Sequence, residues 1–108
     1  MPYRVLLTDS AARDIEELDA YIAQNDSVIR AEYVLTKIEE IIRTLSEFPE
    51  RGVYPQELSA LGIREYREVF FKPYRIIYRV IKNAVYIYLI MDGRRDMQTL
   101  LSRRLLNK

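Results

Sequence analysis

The chain has 108 residues, which fits one compact domain over 1–108 with a single core. It holds neither cysteine nor histidine, which excludes disulfides, thiolate zinc sites and Ser–His or Cys–His nucleophile pairs; no cofactor or metal is expected, with only a carboxylate metal site left open. Seventeen basic against sixteen acidic residues give a net charge of +1, so bulk charge makes no argument for a nucleic-acid partner, but eleven of the basic and only four of the acidic residues lie at or beyond Arg64.

Residues 1–9 carry no long apolar run and no signal-cleavage pattern. No stretch reaches the roughly 18 apolar residues of a membrane span, so a cytoplasmic protein without a membrane partner is expected. Tyr3–Thr8 reads as a short strand, and Thr8, Asp9 and Ser10 are all acceptable helix caps. Apolar residues at Ala11, Ile15, Leu18 and Ile22 then recur at the helical period to about Gln24. Asn25–Ser27 breaks that pattern and caps a second helix over Val28–Phe48, striped by Ala31, Val34, Leu35, Ile38, Ile41, Ile42 and Leu45. The short link predicts an antiparallel helical hairpin. Pro49 ends it, Gly52 marks a turn, and residues 49–63 read as a loop.

Three strands follow at hairpin spacing, Arg64–Phe71, Tyr74–Ile81 and Ala84–Met91, and are therefore antiparallel. The middle strand places Tyr74, Ile76, Tyr78 and Val80 on one face and Arg75, Ile77, Arg79 and Ile81 on the other. Asp92-Gly93 turns the chain into a terminal helix over Asp96–Leu106. The order β-α-α-β-β-β-α defines an α+β domain, with the N-terminal helical hairpin packed on a mostly antiparallel sheet.

Several residues have an ordinary explanation. Arg79 suits a half-covered sheet face with its stem on apolar neighbours. Arg94 and Arg95 stand beside Asp92 and Asp96, where local ion pairs are expected, and Arg103 and Arg104 fall near a helix C-terminus, where cations are favoured. Tyr66, Tyr74, Tyr78, Tyr86 and Tyr88 all have even numbers and would form one stripe if the strand registers agree; core packing with hydroxyls at the rim is preferred to a base-stacking platform.

Three stretches on this topology resemble the RelE/ParE toxin superfamily: Gly62-Ile63-Arg64-Glu65-Tyr66-Arg67-Glu68, Pro73-Tyr74-Arg75-Ile76-Ile77-Tyr78-Arg79-Val80, and Asp92-Gly93-Arg94-Arg95-Asp96 followed by Leu100-Leu101 and Arg103-Arg104. The resemblance runs along nearly the whole chain. It implies the toxin of a type II toxin–antitoxin module, of the kind tied to plasmid stabilization and growth arrest, with a cognate antitoxin as partner. Tyr21, Ile22, Leu35 and Ile42 are the candidates for the antitoxin groove, and Arg67, Arg75, Arg79, Arg94 and Arg95 for contacts with the target.

The superfamily contains ribosome-dependent mRNA endoribonucleases and inhibitors of DNA gyrase on one fold, so the site must decide. Cleavage through a 2′-hydroxyl needs a base, a cation for the phosphorane and an acid. The resemblance assigns Arg75 and Arg95 (or Arg94) to the phosphate and leaves Glu68 as a conceivable base. Where the ribonucleases carry lysines, nine and seven residues before Arg75, this chain has Tyr66 and Glu68, and Leu101 stands where a tyrosine is expected. A ParE-like inhibitor of DNA gyrase, which needs no catalytic set, is therefore the first reading. A ribonuclease meeting ribosome and mRNA through Arg75, Arg95 and Glu68 is the second.

Overall fold

The computed structural model describes residues 2–106. Strand β1 (Arg4–Leu7) leads into helix α1 (Asp9–Asn25), and of the three possible caps Thr8 is used: its hydroxyl accepts from the Ala11 N–H at 3.1 Å. Ser27 caps α2 (Val28–Thr44) in the same way, accepting from the Arg30 N–H at 2.9 Å. Helix α2 stops at Thr44, short of the expected Phe48. Approaching Pro49, the backbone tightens to three-residue hydrogen bonds, Leu45 N–H to Ile42 C=O and Ser46 N–H to Arg43 C=O. Ser46 also exchanges bonds with Tyr3, the residue before β1, its carbonyl accepting from the Tyr3 N–H at 2.7 Å and its hydroxyl donating to the Tyr3 carbonyl at 2.9 Å.

The expected loop contains one helical turn, α3 (Gln56–Ser59), which is too short to show a period in sequence. Strands β2 (Arg67–Phe71), β3 (Tyr74–Ile81) and β4 (Ala84–Asp92) follow, with β2 beginning three residues later than expected. Helix α4 (Met97–Leu101) passes directly into a π-helical turn, Ser102–Leu106.

The sheet order is β1-β4-β3-β2; the two hairpins are antiparallel and β1 lies parallel to β4. Helices α1 and α2 pack on one face, where Ala11, Val34, Ile38 and Leu45 meet Val69, Ile76, Tyr78, Val85 and Ile87. The other face holds a smaller core of Leu58, Tyr66, Ile77, Leu89, Met97 and Leu101, so it is covered by α3 and α4. The alternation expected for β3 is present, with Tyr74, Ile76, Tyr78 and Val80 on the hairpin side.

The tyrosines do not form one stripe. The register shifts between Ile77 and Tyr78: Tyr78 faces Ile87 while Ile77 faces Leu89, so Tyr88 is the extra residue and the parity of β4 changes there. Tyr74 and Tyr78 pack toward the hairpin, whereas Tyr66 and Tyr88 meet edge-to-face on the opposite side, 5.5 Å between ring centres. Among the described residues no helix is long and apolar enough to cross a membrane.

Candidate functional site

Arg75 projects from β3 toward the face covered by α3 and α4. Its Nε donates to Glu68 Oε1 at 2.7 Å, and its two Nη atoms donate to the Glu57 carboxylate at 2.8 and 2.7 Å. Glu57 comes from α3 and Glu68 from β2, so three elements converge on one guanidinium. The Arg75 side chain is 13% exposed. Its ionised form is held still more firmly than usual, first by the Glu57 hydrogen bonds. Two carboxylates on one cation leave the cluster with net negative charge whenever both are ionised. Burial pushes Glu68 above the usual glutamate value, and Arg75, shared with Glu57, offsets this incompletely. Glu57 is lowered, chiefly by the same arginine. Gly93 seals the stem: a Cβ there would stand 2.6 Å from Arg75 Cδ.

Arg75 is thus set between two carboxylates and not beside Arg95. Arg75 is engaged by both carboxylates, and Glu68 is 5% exposed. Tyr66 and Leu101, at the other two positions the ribonucleases use, are buried in the smaller core. Arg95 points elsewhere, donating to Met91 Sδ at 2.8 Å in the open, and Arg94 is paired with Asp92 at 2.6 Å.

Arg94 and Arg95 line a groove of about 500 Å³ between α1 and the end of β4, together with Leu18, Tyr21, Tyr74 and Ile90. Beyond Ile87, β4 no longer has β1 beside it. Asp14 of α1 and Arg104 of the terminal π-helical turn take over that edge. Asp14 accepts from the Ile90 N–H at 3.0 Å and from both Arg104 Nη atoms at 3.1 and 3.0 Å, while Arg104 donates to the Tyr88 carbonyl at 2.8 Å. Of the four groove candidates, Tyr21 is exposed and lines this groove. Ile22 is a core residue, and Leu35 and Ile42 are half-buried against that core.

Arg67 lies on the far side of the sheet edge, donating to the carbonyls of Gly52 at 2.9 Å and Glu50 at 3.3 Å and covering the Tyr54 ring at 4.7 Å. Arg79 covers Tyr66 at 5.8 Å. Thus the five arginine candidates fall in three places: Arg75 in a sealed ion cluster, Arg94 and Arg95 at the groove, Arg67 and Arg79 at the β2–β3 edge. Glu57 and Asp14, which organise two of these places, escaped the sequence reading, because their partners lie 18 and 90 residues away and no local pattern marks them.

The sequence profile described as "ParE toxin of type II toxin-antitoxin system, parDE" matches residues 5–97. The chain is 29% identical over 101 residues to Toxin ParE3 of Caulobacter vibrioides, covering 94% of this chain and 97% of that one. Its fold is similar to a chain of the chromosomal ParDE toxin–antitoxin system from P. aeruginosa, with a TM-score of 0.70 at 18% identity over 83% of this chain and 95% of that one. It is also similar to a chain of the toxin–antitoxin complex RelBE2 from Mycobacterium tuberculosis, with a TM-score of 0.62 at 22% identity over 85% and 92%. With 93 consecutive positions matched, and with the strand order and hairpin in place, the chain belongs to the ParE toxin family of type II toxin–antitoxin systems.

Proposed function

We propose that this ParE-family chain inhibits DNA gyrase, arrests growth when free, and is neutralised by a cognate antitoxin in the cytoplasm. The observation that carries the reading is the state of Arg75. A phosphate-cleaving site on this fold needs that arginine free, and here two carboxylates neutralise it in a sealed cluster. An inhibitor that works by binding needs only surfaces, and the chain offers them. The groove beside Tyr21 combines apolar walls with the two exposed arginines Arg94 and Arg95. Val28, Ile29 and Tyr33 leave apolar surface open at the start of α2. Both suit an amphipathic antitoxin segment that folds as it binds.

The test is gyrase supercoiling with purified protein. The expected result is loss of supercoiling with trapped cleaved DNA, reversed by the product of the adjacent reading frame. Unimpaired supercoiling at a large excess of toxin would end the reading. Cleavage of mRNA on translating ribosomes, abolished by Arg75→Ala in a still-folded protein, would replace it with the ribonuclease.

A further inference from the structure

Three arginines of the C-terminal half are paired with carboxylates: Arg75 with Glu57 and Glu68, Arg104 with Asp14, and Arg94 with Asp92. Arg64, Arg67 and Arg79 are treated differently. They line one concavity of about 280 Å³ at the β2–β3 edge, with Glu50, Glu65 and Val80. None of the three forms an ion pair among the described residues, although two glutamates share the lining.

Aromatic rings hold them instead. The guanidinium carbons of Arg64 and Arg67 lie 5.6 and 4.7 Å from the centre of the same Tyr54 ring, and that of Arg79 lies 5.8 Å from Tyr66. Arg67 is further fixed by carbonyl oxygens, which orient a guanidinium without cancelling its charge. Stacking covers a guanidinium's face and leaves the N–H edges of Arg64 and Arg79 open, while Arg67 adds its charge with part of its edge already spent on the Gly52 and Glu50 carbonyls and the Tyr54 hydroxyl. Crowding two cations on one ring costs repulsion that a bound anion would relieve. Oriented and uncompensated donors of this kind match the bidentate geometry of phosphate oxygens.

We infer that Arg64, Arg67 and Arg79 form a docking site for the phosphodiester backbone of nucleic acid. Five of the six lining residues are charged and only Val80 is apolar. A protein segment would find no apolar anchor there, whereas a phosphate backbone needs none. The inference rests on the gyrase reading only for its occupant, the DNA that gyrase holds. The toxin would then grip enzyme and DNA together.

The test uses the full chain and a fluorescent 20-base-pair duplex, without gyrase, by anisotropy across KCl concentrations. Three phosphate contacts predict an affinity loss of about 40-fold between 50 and 200 mM salt. Arg64→Gln and Arg79→Gln, checked for folding by circular dichroism, each reduce the log–log salt slope by about one. Arg43→Gln, which breaks only the exposed pair with Glu39 on α2, leaves the slope unchanged. Binding that is insensitive to salt, wild-type slopes in both variants, or polyglutamate bound as tightly as the duplex would overturn the site, the last by making it a surface for acidic polypeptides. The supercoiling assay reads the gyrase proposal separately, so the two can fail independently.

Discussion

Arg75 carries a permanent positive charge, but its role is set by Glu57 and Glu68 on either side of it. Removing the guanidinium would leave two carboxylates facing each other, one of them buried. Arg75→Ala is therefore expected to lose about 3–5 kcal/mol of stability in urea denaturation, a structural effect to be separated from any loss of toxicity. The two glutamates should respond to pH in opposite senses. Glu68 is raised above 4.5 by burial, so the folded state holds its proton more tightly than the unfolded chain, and its contribution to stability declines as pH rises above 4.5. Glu57 is lowered by Arg75, so its contribution is complete above 4.5 and is lost as pH falls through its folded value. Glu68→Gln, which keeps an oxygen acceptor for Arg75 Nε, should gain stability relative to the parent between pH 4.5 and 7. Glu57→Gln should lose about 1–2 kcal/mol at pH 7 and converge on the parent in acid. Parallel pH profiles for the three proteins would contradict this assignment.

At the scale of elements, the most consequential join is between β4 and the chain's last helical turn. Strand β1 is too short to cover the edge of β4 beyond Ile87, and Asp14 and Arg104 substitute for it, supplying an acceptor to Ile90 and a donor to Tyr88. Asp14→Ala removes the acceptor and leaves Arg104 without its carboxylate. A loss of about 2–4 kcal/mol is expected, with faster hydrogen exchange at the Ile90 amide than at amides paired to β3. Exchange at Ile90 equal to the parent's would show that the edge is held by other means. The β3–β4 turn stores strain of a simpler kind. Lys82 sits at φ 56°, in the left-handed region that disfavours a side chain bearing Cβ. Lys82→Gly is expected to stabilise by about 0.5–1 kcal/mol, read as a higher melting temperature. Gly52 is the reverse case: a Cβ there would stand 2.5 Å from the Tyr78 hydroxyl, which accepts from the Gly52 N–H and donates to the Pro49 carbonyl.

For the whole molecule, the basic C-terminal half suggested more free positive charge than the fold leaves. Arg75, Arg94 and Arg104 are paired within the chain, while Arg95 lies at the groove and Arg64, Arg67 and Arg79 at the β2–β3 edge without an ion pair among the described residues. Two separated surfaces fit a toxin that meets both an antitoxin and a target. If an antitoxin segment occupies the groove, saturation at 100 times its Kd should stabilise the chain by about 2.7 kcal/mol. For a domain near this size that is a rise of about 10 °C or more in Tm. Tyr21→Ala, exposed and outside the core, should reduce the shift without lowering the melting temperature of the free protein.

Helical stripes, period-two strands and turn residues are local signals, and they marked the elements in order except for the one-turn α3, which is too short to show a period. The hairpin, the three C-terminal strands and the two faces of β3 were legible for that reason, and three motif stretches carried the family resemblance. Tertiary structure decided what local patterns cannot encode. It placed β1 parallel to β4, and it inserted Tyr88 as an extra residue, which split the even-numbered tyrosines between two faces. It also brought Glu57 and Asp14 to arginines 18 and 90 residues away. Charge pairing acts through space, so no local pattern foretold the different surroundings of Arg75 and Arg79, four residues apart on one face of β3. The fold buries one between two carboxylates and leaves the other unpaired on a tyrosine ring.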